Sequence, residues 1–434
     1  MGVLLAATAG LALIAPSASF AGPPTSGSAA AKLATDQQPT APARGVYAVH
    51  GADTVAERTR IADSGVDLLS ADRTGLRVIA TPRQADALRA AGFRLISQGG
   101  LDALLAARSG RGTNRPQRAG DFPAGDEAYH TYAEATAELR QTVAEHPDIA
   151  MMLRIGKSYQ GRDMNVIKIS DNAATDEDEP EVLFTCNQHA REHLTTEMCL
   201  HLVKRFTDGY GNDPAVTDIV NSHEIYLIPN MNPDGSEFDI SGGKYHAWRK
   251  NRQPNADSSA IGTDLNRNWG YKWGCCNGSS TSPANETYRG SSAFSAPETK
   301  AVADFVDSRV VGGVQQIKAT IDFHTYSELV LWPFGYTTSR TADGLDAEQA
   351  ARFEDIGRRM AATNGYTPEQ SSALYITDGD ITDWAWGANR ILSFAFEMYP
   401  TENGAEGFYP PASVIGEQTR RNDAAADLLL HEVG

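Results

Sequence analysis

Cysteine is scarce in this sequence. Four residues in 434, Cys186, Cys199, Cys275 and Cys276, are too few for a disulfide scaffold. The last two are adjacent, so a bond between them would close a strained small ring, and the sequence alone assigns no pairing. Long apolar runs are also missing. Outside the extreme N-terminus no stretch reaches the ~18 residues of a membrane span, so no membrane-spanning segment is expected. No internal repeat is present. Positive charge is the minority sign: 38 Lys and Arg stand against 55 Asp and Glu, a net of −17.

That shortage is uneven. Residues 44–118 hold twelve arginines and seven acids, a net of +5, whereas residues 119–434 hold 25 bases and 47 acids, a net of −22. A strongly acidic unit repels a phosphate backbone, which excludes nucleic acid as its partner. The asymmetry fits a basic segment that docks on an acidic domain, with solubility of a secreted protein as the plainer reading. With 41% hydrophobic and 21% charged residues the chain reads as globular, and its length suggests more than one domain.

Residues 3–21 form a short apolar run ending in small residues, with Ser19 and Ala21 before Gly22. This reads as a signal peptide over 1–21 and implies secretion. The basic region that normally precedes such a run is missing, which suggests a true start further upstream. Residues 22–43, rich in Ala, Pro, Ser, Thr and Gly, read as a flexible linker. Residues 45–98 then alternate as strand, helix, strand, strand, helix, strand, the ferredoxin-like order. The unit over 44–106 is read as a pro-domain. Residues 107–120 read as an exposed cleavable hinge with Arg108, Arg111, Arg115 and Arg118 as cleavage candidates for an activating protease. From 121 to 434, short β-rich runs (MNVIKIS, EVLFTC, EIYLIP, ATIDFHT, LSFAFEM) alternate with helical runs such as HLTTEMCLHLVKRF. This predicts an α/β domain, a mixed sheet with helices on both faces.

Chemistry-bearing residues cluster where EVLFTCNQ runs into His189-Ala190-Arg191-Glu192-His193. An imidazole and a carboxylate three residues apart at a strand end can reach one cation, and zinc accepts both donor types while wanting a third protein ligand. Alone, H-x-x-E is weak and a surface ion pair explains it as well. The string also matches the inverzincin pattern, with His189 and His193 as ligands and Glu192 as base, which requires His189 inside a helix.

Further blocks follow: AWRKNR at 247–252, GTDLNRNWGYKW at 262–273, DFHTYSELVLWPFGY at 322–336, LYITDGDITDW at 374–384 and FAFEMYP at 394–400. Together with HAREH, in this order, they resemble the zinc carboxypeptidases of the carboxypeptidase A superfamily, and within it carboxypeptidase T. The resemblance covers residues 121 to near the C-terminus. It implies a mixed eight-stranded sheet with the site at the strands' carboxyl ends, one zinc, and the C-termini of peptides and proteins as substrate, with the enzyme acting as a monomer. Carried over by position, His189, Glu192 and His324 become zinc ligands, Glu397 the general base and Arg249 the stabiliser of the oxyanion. Asn266 and Arg267 become the grip on the substrate's terminal carboxylate, and Tyr375 a mobile phenol. Arg191 and Tyr326 match outer subsites, although on residue type alone packing explains them equally well.

The pocket for the terminal side chain is expected near Leu331, Gly335, Leu374, Thr377, Asp380 and Thr382. Its apolar walls suit Leu, Phe or Tyr, and Asp380 suits Lys or Arg. Thr382 stands where basic-specific relatives carry an acid, so a dual preference is expected. Asp378 and Asp383 read as turn and capping residues. The acidic run 170–181 suits calcium, with a solvated loop as the alternative. The resemblance favours Asp176, Glu177, Glu181 and Glu224 as one calcium site and Glu127, Tyr129 and Glu134 as another. A catalytically inactive, carboxylate-binding member of the same fold would lack a ligand, Arg249 or Glu397, and all of these residues are present.

Overall fold

In the computed structural model, residues 43–72, 75–110, 121–401 and 407–434 are described. The signal-like run, nearly all of the linker, and hinge residues 111–120 lie outside them, as do Arg111, Arg115 and Arg118. The N-terminal unit carries β1 (Gly45–His50), α1 (Val55–Asp63), β2 (Asp67–Asp72), β3 (Gly75–Ala80), α2 (Pro82–Ala90) and β4 (Arg94–Gly100). Its antiparallel sheet has the order β2-β3-β1-β4, the ferredoxin-like topology. Both helices start on capping boxes, Thr54 with Glu57 and Thr81 with Gln84, which satisfy the first free N–H groups. Val49, Ile61, Val78, Leu88 and Phe93 close a small core between helices and sheet.

An unanticipated helix, α3 (Leu101–Ser109), follows and changes the reading of the hinge. Its Leu101 and Leu105 are buried in the core of the larger unit. Arg108, expected to be an exposed cleavage point, is buried on this helix. Its Nε donates to the carbonyl of Tyr409, and Nη2 pairs with the fully buried Asp126. Residues 107–109, expected to open a hinge, belong to α3 instead, because LDALLAAR has the apolar spacing to pack as a helix.

The larger unit continues with α4 (Tyr132–Glu145), β5 (Ala150–Lys157), β6 (Asp163–Ile169), β7 (Glu181–Cys186), α5 (His193–Gly209), α6 (Pro214–Val220), β8 (Glu224–Ile228) and α7 (Pro233–Asp239). Next come α8 (Pro297–Ser308), a small hairpin of β9 (Val310–Val311) and β10 (Val314–Gln315), β11 (Ile317–Thr325), β12 (Leu329–Trp332) and α9 (Ala347–Asn364). The chain ends with β13 (Thr367–Gln370), α10 (Ile381–Asn389), β14 (Leu392–Met398), α11 (Ile415–Arg420) and α12 (Asp423–His431). Eight strands form one sheet in the order β13-β12-β14-β11-β7-β8-β6-β5. β14, β11, β7 and β8 pair in parallel, while β12 with β14, β8 with β6, and β6 with β5 pair antiparallel. The sheet is mixed, as expected.

Helices cover both faces, which explains why EVLFTC shows no polar alternation: every residue of β7 is buried. Phe184 packs with Phe323, Phe396 and helices α5, α9 and α12 on one face, while Leu183 meets Val302 and Phe305 of α8 on the other. Each such fully buried side chain contributes about 1.5–3 kcal/mol. The rigid parallel centre then delivers the ends of β7, β11 and β14 to one edge of the sheet.

Candidate active site

At that edge, β7 stops at Cys186 and α5 begins only at His193, so His189 and Glu192 sit on the turn between them. Asn187, in the left-handed region at φ 55°, starts the turn. Its side chain donates to the carbonyls of His189 and Ala190, and Thr195 Oγ1 accepts from its N–H at 2.8 Å. A disulfide between Cys186 and Cys199 joins the strand end to α5. His324 and Glu397 are direct partners in the parallel register of β11 and β14.

These elements bring Glu192 against both imidazoles. His189 Nδ1 lies 2.9 Å from Glu192 Oε1, His324 Nδ1 lies 2.9 Å from Oε2, and the two Nδ1 atoms are 3.1 Å apart. Two ring nitrogens and a carboxylate facing one another in a buried space, all within 4.8 Å, are a donor set without enough hydrogens of its own. A cation resolves it, and two imidazoles with one carboxylate suit zinc with a coordination position left open. Each ring's far nitrogen faces a buried acid: His189 Nε2 faces Asp264 at 3.2 Å and His324 Nε2 faces Asp322 at 2.5 Å. Such partners fix which nitrogen carries the proton and leave Nδ1 to bind metal. Sequence reasoning assigned neither acid to this task, although both lie inside the quoted blocks. Asp322 faces away from the side-chain pocket, accepting from Thr185 and Gln188. His193, which an inverzincin would use as a ligand, points elsewhere. It bonds Asp239 and packs edge-on against Phe122, and His189 is not helical. That alternative is overturned.

The same cavity gathers Arg249, Asn266, Arg267, Tyr326, Leu331, Leu374, Tyr375, Thr377, Asp380, Thr382 and Glu397. Arg249 spends Nε and Nη2 on Asp264 Oδ2, which leaves Nη1 directed at the centre, 3.4 Å from His189. Arg267 is held by the carbonyls of Gly278 and Asn266, and its Nη2 reaches Tyr375 at 3.5 Å. Removal from bulk water pushes the Glu397 carboxyl up to about 8. His324 pulls against the shift, Glu192 adds to it, and Arg249 opposes it. Asp380 opens on the cavity but is already engaged. It caps α10 through the N–H of Asp383, and it accepts from the Thr382 and Thr377 hydroxyls. Asp378 and Asp383, expected to serve their own turn and helix start, instead accept from distant loops: Asp378 from Gly274, Cys276, Gly278 and Ser279, and Asp383 from Gly335 and Tyr336, while the cap of α10 is Asp380.

Arg191 differs from expectation. It does not line the cavity; it is fully buried, with its guanidinium 4.0 Å above Phe408 and paired through Nη1 and Nη2 with Asp67 of β2. Leu68, Leu69, Ser70 and Ala71 of that strand line the active cavity itself, and Ser70 hydrogen-bonds Tyr326.

The acidic run differs as well. Asp176, Glu181 and Glu224 converge, but Arg309 lies among them, 2.5 Å from both Asp176 and Glu181, and Lys168 pairs with Glu224 at 2.7 Å. Glu177 belongs to a separate group with Asp171 and Glu179. Arg309 and Lys168 thus offset two of the three charges at this site, whose acids still lie close enough together to hold a metal ion. In the second expected set, Glu134 completes the capping box of α4 with Thr131, Glu127 accepts from Gly125, and Tyr129 donates to Pro410, so each is engaged by the chain itself.

The zinc carboxypeptidase family model matches residues 135–425. The chain is 52% identical over 390 residues to a zinc carboxypeptidase of Saccharothrix mutabilis subsp. capreolus, covering 90% of this chain and 89% of that one. It is 34% identical over 300 residues to carboxypeptidase A2 of Rattus norvegicus, with 69% and 68% covered. The crystal structure of carboxypeptidase A from Helicoverpa armigera superimposes with a TM-score of 0.73 at 23% identity, over 90% of this chain and 97% of that one, which supports the fold alone. With the motif blocks, the donor set and these likenesses in agreement, the chain belongs to the zinc carboxypeptidase family.

Proposed function

We propose that this metallocarboxypeptidase is a secreted proenzyme, similar to carboxypeptidase T, whose mature form accepts both hydrophobic and basic C-terminal residues. The observation that carries latency is the position of β2, whose residues 68–71 occupy one wall of the cavity that holds His189, Glu192 and His324. A peptide cannot share that wall, so an activating protease has to cut between α3 and residue 121 before turnover.

In the mature enzyme, the substrate's terminal carboxylate lies on Arg267 and Asn266, a match of guanidinium fork to anion that an internal peptide bond cannot offer. Its side chain enters between Leu331, Leu374 and Thr382, with Asp380 as the acid on that wall. His189, Glu192 and His324 would hold zinc, which when bound would supply the Lewis acidity that polarises the scissile carbonyl and lowers the pKa of the attacking water. Arg249, held rigid by Asp264, presents Nη1 to the oxygen on which charge develops. Glu397 takes the proton from water and delivers it to the departing amine nitrogen.

Glu397→Gln tests this reading, because an amide keeps the shape and removes the base. The variant, cut in the hinge, is expected to hold one zinc and bind peptide while losing turnover. Near-normal hydrolysis by the zinc-loaded variant would remove Glu397 from the role. A peptide set ending in Leu, Phe, Lys and Arg, digested with and without chelator, reads the dual preference in the same preparation.

A further inference from the structure

Cys275 and Cys276 are joined in a disulfide although they are neighbours in sequence. They lie in an irregular loop, between the left-handed residues Gly274 (φ 66°) and Asn277 (φ 60°). This loop wraps the carboxylate of Asp378, which is fully buried. The N–H groups of Cys276 and Gly278 donate to Oδ2 at 3.0 and 2.9 Å, that of Gly274 to Oδ1 at 3.3 Å, and the Ser279 hydroxyl also donates to Oδ1. One of the four donors therefore belongs to the ring that the disulfide closes.

What the loop holds in turn is the substrate-binding wall. Gly278 accepts Arg267 Nε at 3.0 Å. It also packs so tightly that a Cβ there would sit 2.3 Å from the carbonyl carbon of Thr377. Thr377 donates to Asp380 at 2.7 Å. Gly379 accepts the N–H of Trp269 at 3.0 Å, and a Cβ on it would come 2.7 Å from the carbonyl oxygen of Arg267. Three chain segments, 267–269, 274–279 and 377–380, are thus interlocked through backbone groups. The disulfide is the one covalent restraint within them among the described residues.

We propose that the Cys275–Cys276 disulfide is a positioning element for Arg267 and the Thr377–Asp380 wall, and that its reduction by a dithiol weakens substrate binding. The inference rests on the reading of Arg267 as the carboxylate grip. The reaction is an exchange: the S–S bond takes two electrons and two protons to become two thiols, and the dithiol closes to its own disulfide. Access favours this bond over the other. Cys275 is exposed and Cys276 half-buried, whereas Cys186 and Cys199 are both fully buried. The freed loop loses the fixed Cys276 N–H, Asp378 swings, and the guanidinium loses its alignment, while the zinc ligands on β7 and β11 are untouched.

The test uses the full chain, cut in its hinge by limited proteolysis, in zinc-buffered solution. The Cys275→Ala/Cys276→Ala double variant and wild type treated with dithiothreitol are compared for kcat, KM, zinc content and thiols located by alkylation. KM is expected to rise roughly 10-fold, the loss of about one charge-assisted hydrogen bond. Kcat and zinc should hold, label should appear only at Cys275 and Cys276, and KM should return on reoxidation. Arg267→Gln, run beside them, separates the two readings. If it leaves KM unchanged, the carboxylate grip is wrong. If it raises KM while the double variant and the reduced wild type do not, the disulfide has no positioning role. Zinc loss or a fall in kcat with constant KM in the double variant overturns the proposal as well.

Discussion

Asp67→Asn should unlock the uncleaved protein. Arg191 is fully buried, and Asp67 supplies its two strong hydrogen bonds, Nη1 to Oδ2 at 2.5 Å and Nη2 to Oδ1 at 2.8 Å. Its other contacts are weak: Nη1 lies 3.4 Å from the Ala247 carbonyl, and Nε has no partner. Asparagine keeps the shape but leaves a buried guanidinium without its counter-charge, a change that typically costs 3–5 kcal/mol. The cost falls only on the covered state, because in the open state water solvates Arg191. At about 1.4 kcal/mol per decade, the open fraction should rise between about 140- and 4,000-fold. Salt should alter the gain little, since the pair is out of reach of screening ions.

The assay is the ratio of kcat/KM for the cleaved and uncleaved forms on a short peptide. In Asp67→Asn this ratio should fall sharply, although α1 still holds the wall segment. Arg58 donates to the carbonyls of Ala373 and Leu374, and Thr59 accepts from the N–H of Ile376. After the hinge is cut and the segment removed, variant and wild type are the same enzyme, which is the internal control. An unchanged ratio would refute the reasoning that this pair holds the cover in place.

Metal analysis of two histidine variants tests the donor set: His324→Ala should lose zinc and His193→Ala should retain it, and the opposite pattern would restore the inverzincin arrangement. Asp380→Asn should lower kcat/KM on Arg-ended peptides about 10-fold while sparing Leu-ended ones. It should also lower Tm, because the helix cap weakens by about 0.5–2 kcal/mol. An equal loss on both substrates would make Asp380 a cap alone. His130 is raised to about 10 by the hydrogen bonds it donates to Glu138 and Glu197, against the effect of burial. A raised folded-state pKa stabilises fully below the unfolded value near 6.5, and the gain disappears as pH climbs through about 10. The Tm difference between wild type and His130→Gln should therefore shrink across that window, and a constant difference would mean that His130 acts by packing rather than by charge.

Much of this was legible because it is local. The central strands declare themselves as apolar runs, and EVLFTC followed shortly by HAREH puts a ligand pair at a strand end. What stayed hidden depends on partners far along the chain. Arg191 meets Asp67 across 124 positions and Arg309 meets Glu181 across 128, and no periodicity announces such pairs. The expected calcium site shows the same limit: acid density is readable, but the arginine and lysine that fold into the cluster are not. Arg108 was misjudged because a basic residue in a Gly-rich neighbourhood resembles a hinge until Asp126 is found beneath it. Asp380 was placed at the right wall, yet its prior engagement with Thr377, Thr382 and the Asp383 N–H follows only from the start of α10.

The charge asymmetry of the two units takes on a different meaning once the contact is visible. A segment of net +5 against a unit of net −22 is drawn in at long range, which aids encounter. The cavity it must cover, however, is built around Arg249 and Arg267, with Arg191 behind it, because an enzyme that grips carboxylates needs local positive charge inside an acidic body. A basic cover meeting those arginines face to face would be repelled. The cover answers by inverting its sign at the point of contact. Arg58 takes the backbone carbonyls of Ala373 and Leu374, and the strand entering the cavity presents Asp67 to Arg191, followed by the uncharged Leu68, Leu69, Ser70 and Ala71. Attraction is therefore set by the whole segment, whereas at the cavity itself the charged contact is Asp67 with Arg191, beside the backbone contacts of Arg58 and Thr59. Neutralising peripheral arginines should slow docking without opening the site, whereas Asp67→Asn should open the site without slowing docking.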